Sequence, residues 1–121
     1  MLFRNHHSLI QAFKNAFRGF RYVMGERSFF IQLIIGFLVI VLAFILNLSF
    51  VEIAIVIILS TLVLLAEILN TVIEKTLDVV SKEEHPEIAR IKDVAAAGVL
   101  ILSATAFLIG LWIFVKAIFF R

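Results

Sequence analysis

Three apolar runs of about 20 residues each decide most of what this chain can fold into, because that is the length that crosses a ~30 Å hydrocarbon core at ~1.5 Å per residue. A soluble chain of 121 residues could not bury them all, since 63% of its residues are hydrophobic against roughly 45–50% in an average soluble protein. The expected fold class is therefore all-α integral membrane, a single domain over 1–121 with transmembrane spans at 29–48, 50–69 and 94–118. The first long run starts only near Phe29 and no small-residue cleavage site follows it, so a cleaved signal peptide is not expected and the first span stays. The absence of cysteine removes disulfide frameworks, thiolate metal sites and thiol nucleophiles. A net charge of only +2 gives no nucleic-acid footprint, so no nucleic-acid partner is expected.

Ahead of the first span, Leu9, Ile10, Phe13, Phe17, Phe20 and Met24 share an arc of about 100°, with Gln11, Lys14, Arg18 and Arg21 opposite. This predicts an N-terminal amphipathic interfacial helix over 8–25, opened by a capping box of Ser8 with Gln11. Its basic face suits anionic head groups. The plainer alternative is a helix that packs on its own protein, because amphipathicity does not name the surface it meets.

Asn47-Leu48-Ser49 is a minimal turn, which makes the first two spans a hairpin. The second span continues as a polar helix to about Val80, and Pro86, the single proline, suits the first position of the next helix. Arg4, Lys14, Arg18, Arg21 and Arg27 precede span one, and Lys75, Lys82, Arg90 and Lys92 lie between spans two and three. The Asn47 turn has no basic residue. By the positive-inside rule the amino terminus and the second loop are cytoplasmic, although Lys116 and Arg121 then fall outside.

Glu67, Asn70, Glu74 and Asp78 fall within about 80° of one helix face. A polar stripe facing lipid is costly, so it should face a partner helix, a metal or a water-filled cleft. For Asp78 the plainer alternative is a solvated helix extension; Glu67, flanked by Leu64, Leu65, Ile68 and Leu69, suits that alternative poorly. Glu67 lies about 25 Å along the helix from Phe50 and Glu74 about 10 Å beyond it. A carboxylate at the membrane edge suits a general base for an alcohol proton, whereas a water-side carboxylate pair suits Mg²⁺, which prefers oxygen ligands and keeps some waters. Such a stripe can join a lipid hydroxyl to a water-soluble phosphate donor.

Lys92 and Asp93 return a cation and an anion to the same interface, and Glu26 ends the amphipathic helix there. Lys92 suits phosphate oxygens, and Asp93 and Glu26 suit a metal or donor, in a reaction that runs on positioning and electrostatics. Taken singly, each also reads as an ordinary helix flank. Ala95, Ala96, Ala97 and Gly98 allow close approach of another helix just inside the membrane. No Walker A pattern, kinase glycine-rich loop or zinc-protease motif occurs, His6, His7 and His85 lack metal-ligand spacing, and Glu52 reads as an interfacial side chain reaching for water.

Glu67-Ile-Leu-Asn70-Thr-Val-Ile-Glu74, then Asp78, His85 and Lys92-Asp93-Val-Ala-Ala-Ala-Gly-Val-Leu, resembles the prokaryotic diacylglycerol kinase and undecaprenol kinase family, in motif residues and in the spacing between motifs. Length, span count and the leading helix agree along nearly the whole chain. The resemblance implies a homotrimeric, Mg-ATP-dependent lipid kinase of the bacterial inner membrane, with active sites shared between subunits on the cytoplasmic side. It implies Glu67 as catalytic base, Glu26 and Glu74 as metal-binding acids, and Asn70, Lys92 and Asp93 as the other polar site residues. The family often shows an Arg three or four residues after the acid equivalent to Glu26, where this chain has Phe29 and Phe30, so donor contacts from the first helix are expected to differ. The segment after Asp93 is more similar to the undecaprenol kinase branch.

The leading expectation is transfer of the ATP γ-phosphoryl group to the hydroxyl of a membrane lipid, diacylglycerol or undecaprenol. Two other classes remain open at this level: a small oligomeric pore whose acidic stripe lines a vestibule, and an assembly subunit whose stripe meets another protein's helix.

Overall fold

The computed structural model describes residues 9–120, all of whose regular structure is helical. The chain runs through α1 (Leu9–Met24), α2 (Arg27–Ile45), α3 (Phe50–Val80) and α4 (Pro86–Phe119). Ser8, and with it the expected capping box at the start of α1, lies outside the described residues. α2, α3 and α4 are each long and apolar enough to cross a membrane. α3 packs against both α2 and α4, and α1 rests mainly on α2. Large apolar side chains such as Phe37, Leu100 and Trp112 are about two-thirds exposed, a surface that suits hydrocarbon and not water.

The joint between α2 and α3 comes from local chemistry. α2 stops at Ile45, short of the expected span end at 48, because Asn47 takes the left-handed conformation (φ 55°). That turns the Asn47 N–H to the Phe44 carbonyl (3.1 Å) and the Leu48 N–H to the Ala43 carbonyl (3.1 Å), the paired bonds of a Schellman ending. The accompanying apolar contact is present: Leu48 and Ala43 are both buried and join Val56 and Ile113 in the core at this end of the bundle. Asparagine substitutes for the more usual glycine because its short polar side chain tolerates positive φ.

Ser49 then caps α3. Its Oγ accepts from the Glu52 N–H (3.2 Å), and the Ser49 N–H donates to Glu52 Oε1 (3.0 Å), a reciprocal capping box. This corrects the reading of Glu52 as a side chain reaching for interfacial water: its carboxylate closes the helix start. Ser49→Ala is expected to cost about 1 kcal/mol of bundle stability and to lower the midpoint of denaturant unfolding in detergent, with no effect at the other end of the molecule.

α3 extends to Val80 and Ser81 ends it, well beyond the apolar stretch 50–69. α4 starts at Pro86 with His85 as N-cap, the His85 Nδ1 accepting from the Glu87 N–H at 3.4 Å. The proline occupies the helix start, where its missing N–H is not needed. α4 therefore begins about two turns before the apolar stretch 94–118, and both helices carry their polar ends past it. Between α1 and α2, the Gly25 N–H bonds the Tyr22 carbonyl (3.1 Å) and the Glu26 N–H bonds the Val23 carbonyl (2.9 Å), a tight turn that ends α1. Phe29, 1% exposed, pins that corner with an edge-to-face contact to Phe20 at 6.0 Å between centroids.

Candidate active site

The buried seam of α3 consists of Val56, Val63, Glu67 and Thr71, spaced by seven, four and four residues, so a single helix face turns from apolar to polar along its length. Glu67 is 8% exposed, which separates it from an ordinary solvated extension. One turn on, Asn70 has a buried Oδ1 with no hydrogen-bond partner. A buried carbonyl-type oxygen left unpaired is costly, and such atoms mark places where an ion, a water or a substrate group completes the set. Glu74 follows, half-buried, and the exposed Asp78 ends the same stripe on the water side.

Neighbouring elements bring charge to this end. Glu26, the N-cap of α2, lies 3.6 Å from the Lys75 Nζ on α3. Lys92 Nζ on α4 donates to Asp78 Oδ1 on α3 at 2.8 Å and bridges the two helices across their connecting loop. Both groups lie outside the apolar stretches. The hydrogen bond from Lys92, then its charge, lowers the Asp78 carboxyl below its ordinary value. The hydrogen bond to Asp78 raises the Lys92 ammonium, helped by the charges of Asp78 and Glu74, so Glu74 lies within electrostatic reach of Lys92.

The pH dependence of this bridge follows. A lowered carboxyl contributes stability above its ordinary pKa and loses it as pH falls through the lowered value; a raised ammonium contributes below its ordinary pKa and loses it as pH rises through the raised value. Asp78→Asn is therefore expected to lower the melting temperature slightly and by a constant amount across neutral pH, with the gap closing in strong acid and strong alkali. The effect is small because both partners are substantially exposed to water.

The six residues singled out from the sequence are thus distributed as follows. Glu67, Asn70 and Glu74 share one face of α3. Glu26 and Lys92 are tied to that helix by ion pairs to Lys75 and Asp78. Asp93 is exposed at the side of α4 and makes no ion pair or side-chain hydrogen bond among the described residues. Lys75 and Thr71 belong to the arrangement without having been assigned a site role from the sequence. Thr71 was legible as the next i+4 member after Glu67, whereas Lys75 meets Glu26 only through the packing of α2 on α3.

Among the described residues no group of three His, Cys, Asp or Glu side chains is placed to hold a metal ion. Magnesium does not require one, because it usually takes one or two carboxylates and fills its shell with waters and substrate phosphate oxygens. The unpaired Asn70 oxygen and the Glu74 carboxylate one turn farther along α3 are oxygen donors of the kind that suit this ion, while the Glu26 carboxylate is engaged by Lys75.

Comparison with known proteins finds relatives among the lipid kinases. The chain is 33% identical over 105 residues to a diacylglycerol kinase of Synechocystis sp., an alignment covering 85% of this chain and 60% of that protein. It is 34% identical over 89 residues to an undecaprenol kinase of Bacillus subtilis, covering 74% of this chain and 72% of the other. The chain thus spans less than two-thirds of the Synechocystis protein's length. Residues 14–114 match the family model of prokaryotic diacylglycerol kinase, a stretch that contains α2, α3, every site residue above and all but the ends of α1 and α4. By that match, the chain belongs to the prokaryotic diacylglycerol kinase family.

Proposed function

We propose that the chain transfers the γ-phosphoryl group of ATP to the hydroxyl of a membrane lipid, diacylglycerol or undecaprenol. The observation that carries this reading is Glu67, a carboxylate 8% exposed at the point where the buried seam of α3 turns from apolar to polar. A lipid hydroxyl reaches that depth from the bilayer, and a phosphate donor reaches the Glu74 end from water. Glu67 accepts the hydroxyl proton as the oxygen attacks phosphorus, and the bond from the γ-phosphorus to the bridging oxygen of ADP breaks. Lys92, held by Asp78, supplies positive charge toward the phosphate oxygens, and Asp93 takes part from the water side.

Glu26, Glu74 and Asn70 would hold a magnesium ion, which when bound supplies charge neutralisation to the donor phosphates. Lys75 keeps the Glu26 carboxylate against α3. In this reading the active unit is a homotrimer in the bacterial inner membrane, with the amino terminus and site cytoplasmic and α1 on the membrane surface. Support for the placement comes from the basic residues flanking α2 and the α3–α4 loop, and from Phe13 and Phe17, which are left 60% and 68% exposed along α1.

The test is a competition: purified chain in nanodiscs with Mg-ATP and equal surface fractions of diacylglycerol and undecaprenol, the products resolved by mass spectrometry. Phosphatidic acid or undecaprenyl phosphate as the single main product names the acceptor. Neither product from well-folded protein rejects the reading.

A further inference from the structure

Two lysines stand at the water end of the α3 stripe, and their contacts differ. The Lys92 ammonium is hydrogen-bonded to Asp78 at 2.8 Å. The Lys75 ammonium lies 3.6 Å from a Glu26 oxygen, an ion pair too long to be a hydrogen bond, and it makes no side-chain hydrogen bond among the described residues. The Lys75 side chain is 47% exposed, so its three N–H donors are open to a ligand that arrives from water.

The position of Lys75 on α3 matters as much as its open donors. It follows Glu74 directly and lies one turn beyond the buried Thr71, on the side of the helix where its ammonium meets the N-cap of α2. Lys92 approaches the same stripe from α4, and α3 packs against both α2 and α4. The two cations therefore flank the Glu74 end, one from the α2 side and one from the α4 side. Their fields overlap there: Lys92 and Lys75 both act on the Asp78 carboxyl, and the Glu74 charge acts on Lys92. Against Glu26, Glu74 and Asp78, a single lysine would leave a polyanion largely repelled, whereas a cation on each flank offsets these acids.

We propose that Lys75 is a donor-binding residue, its ammonium moving from Glu26 to the phosphate chain of the nucleotide on the α2 side while Lys92 serves the α4 side. The inference rests on the lipid-kinase reading above and adds a residue to its donor site. A phosphate oxygen offers the ammonium a short charge-assisted hydrogen bond in place of a longer ion pair, so the exchange favours the donor. It also frees the Glu26 carboxylate for the magnesium that the same reading gives it.

The experiment measures ATP binding by calorimetry, with the full chain in nanodiscs lacking either acceptor, and then KM and kcat with acceptor present. Lys75→Met is expected to weaken ATP binding and to raise the KM for Mg-ATP by about tenfold each, with kcat and the melting temperature close to wild type. Its ATP affinity is also expected to fall less steeply with added salt, because one ion contact is gone. Lys75→Arg restores most of the affinity, and Lys75→Gln, which keeps a polar end, repeats the loss should methionine disturb folding. Lys82→Met removes the same charge from the exposed α3–α4 loop and is expected to change ATP binding by less than about twofold. Unchanged ATP affinity in Lys75→Met with a lowered melting temperature overturns the assignment and leaves Lys75 as a tie between α2 and α3. Tighter ATP binding overturns it too, by making the lysine only a competitor for the Glu26 carboxylate. Equal losses in Lys75→Met and Lys82→Met also overturn it, because overall charge then suffices. In each of these cases label transfer by the wild type leaves the kinase reading standing. A wild type that binds ATP but phosphorylates neither lipid rejects the kinase reading alone, and one that binds no ATP rejects both.

Discussion

Glu67→Gln is expected to lower kcat for lipid phosphorylation by about 10²–10⁴-fold while leaving Mg-ATP binding and the melting temperature close to wild type. The amide keeps the size of the carboxylate and its place on the buried seam of α3, but it has no basic oxygen to take the acceptor's proton. Because Glu67 is buried, an isosteric change is the informative one; Glu67→Ala would also open a cavity between the helices and confuse stability with chemistry. Nucleotide affinity measured by calorimetry and turnover measured in the same nanodiscs separate the two effects. A variant with wild-type turnover removes Glu67 from the role of base.

Glu74→Ala is expected to weaken the apparent affinity for Mg²⁺ by at least about 10²-fold, with turnover partly restored by raising the metal concentration. Glu74 is half-buried, one turn beyond the Asn70 Oδ1, and lies between the buried Glu67 and the exposed Asp78 on the α3 stripe. The distinguishing readout is the magnesium titration. Loss of kcat that excess metal leaves untouched would assign Glu74 to another task, whereas a right-shifted titration places it on the ion. Since Lys75 already engages Glu26 at 3.6 Å, Glu26→Ala is a weaker test of the same point: its loss also frees a lysine beside the donor.

Much of the architecture can be read from apolar run lengths and a few capping residues. Pro86 starts α4, and α3 continues past its apolar stretch to Val80 because 70–80 holds no glycine or proline to stop it. The α2 ending is harder to read, since no glycine marks it; it depends on Asn47 entering the left-handed region while Leu48 packs back on Ala43. Glu52 shows how a local motif is missed when depth is considered first. Ser49-x-x-Glu52 is a capping box by spacing alone, yet a carboxylate at a membrane edge invites a solvation argument.

The site divides in the same way. The α3 stripe follows from helical periodicity, and the burial of Glu67 from its apolar neighbours. The pairs Glu26–Lys75 and Lys92–Asp78 join residues on different elements, so no periodicity in the sequence announces them.

The most direct measurement is transfer of label from γ-labelled ATP into the lipid phase by purified protein in liposomes containing both acceptors, with ion flux recorded on the same vesicles. Labelled lipid, appearing only with Mg²⁺ and absent with Glu67→Gln, is the expected result. Vesicles that conduct ions but yield no labelled lipid would contradict it and make the acidic stripe the lining of a pore.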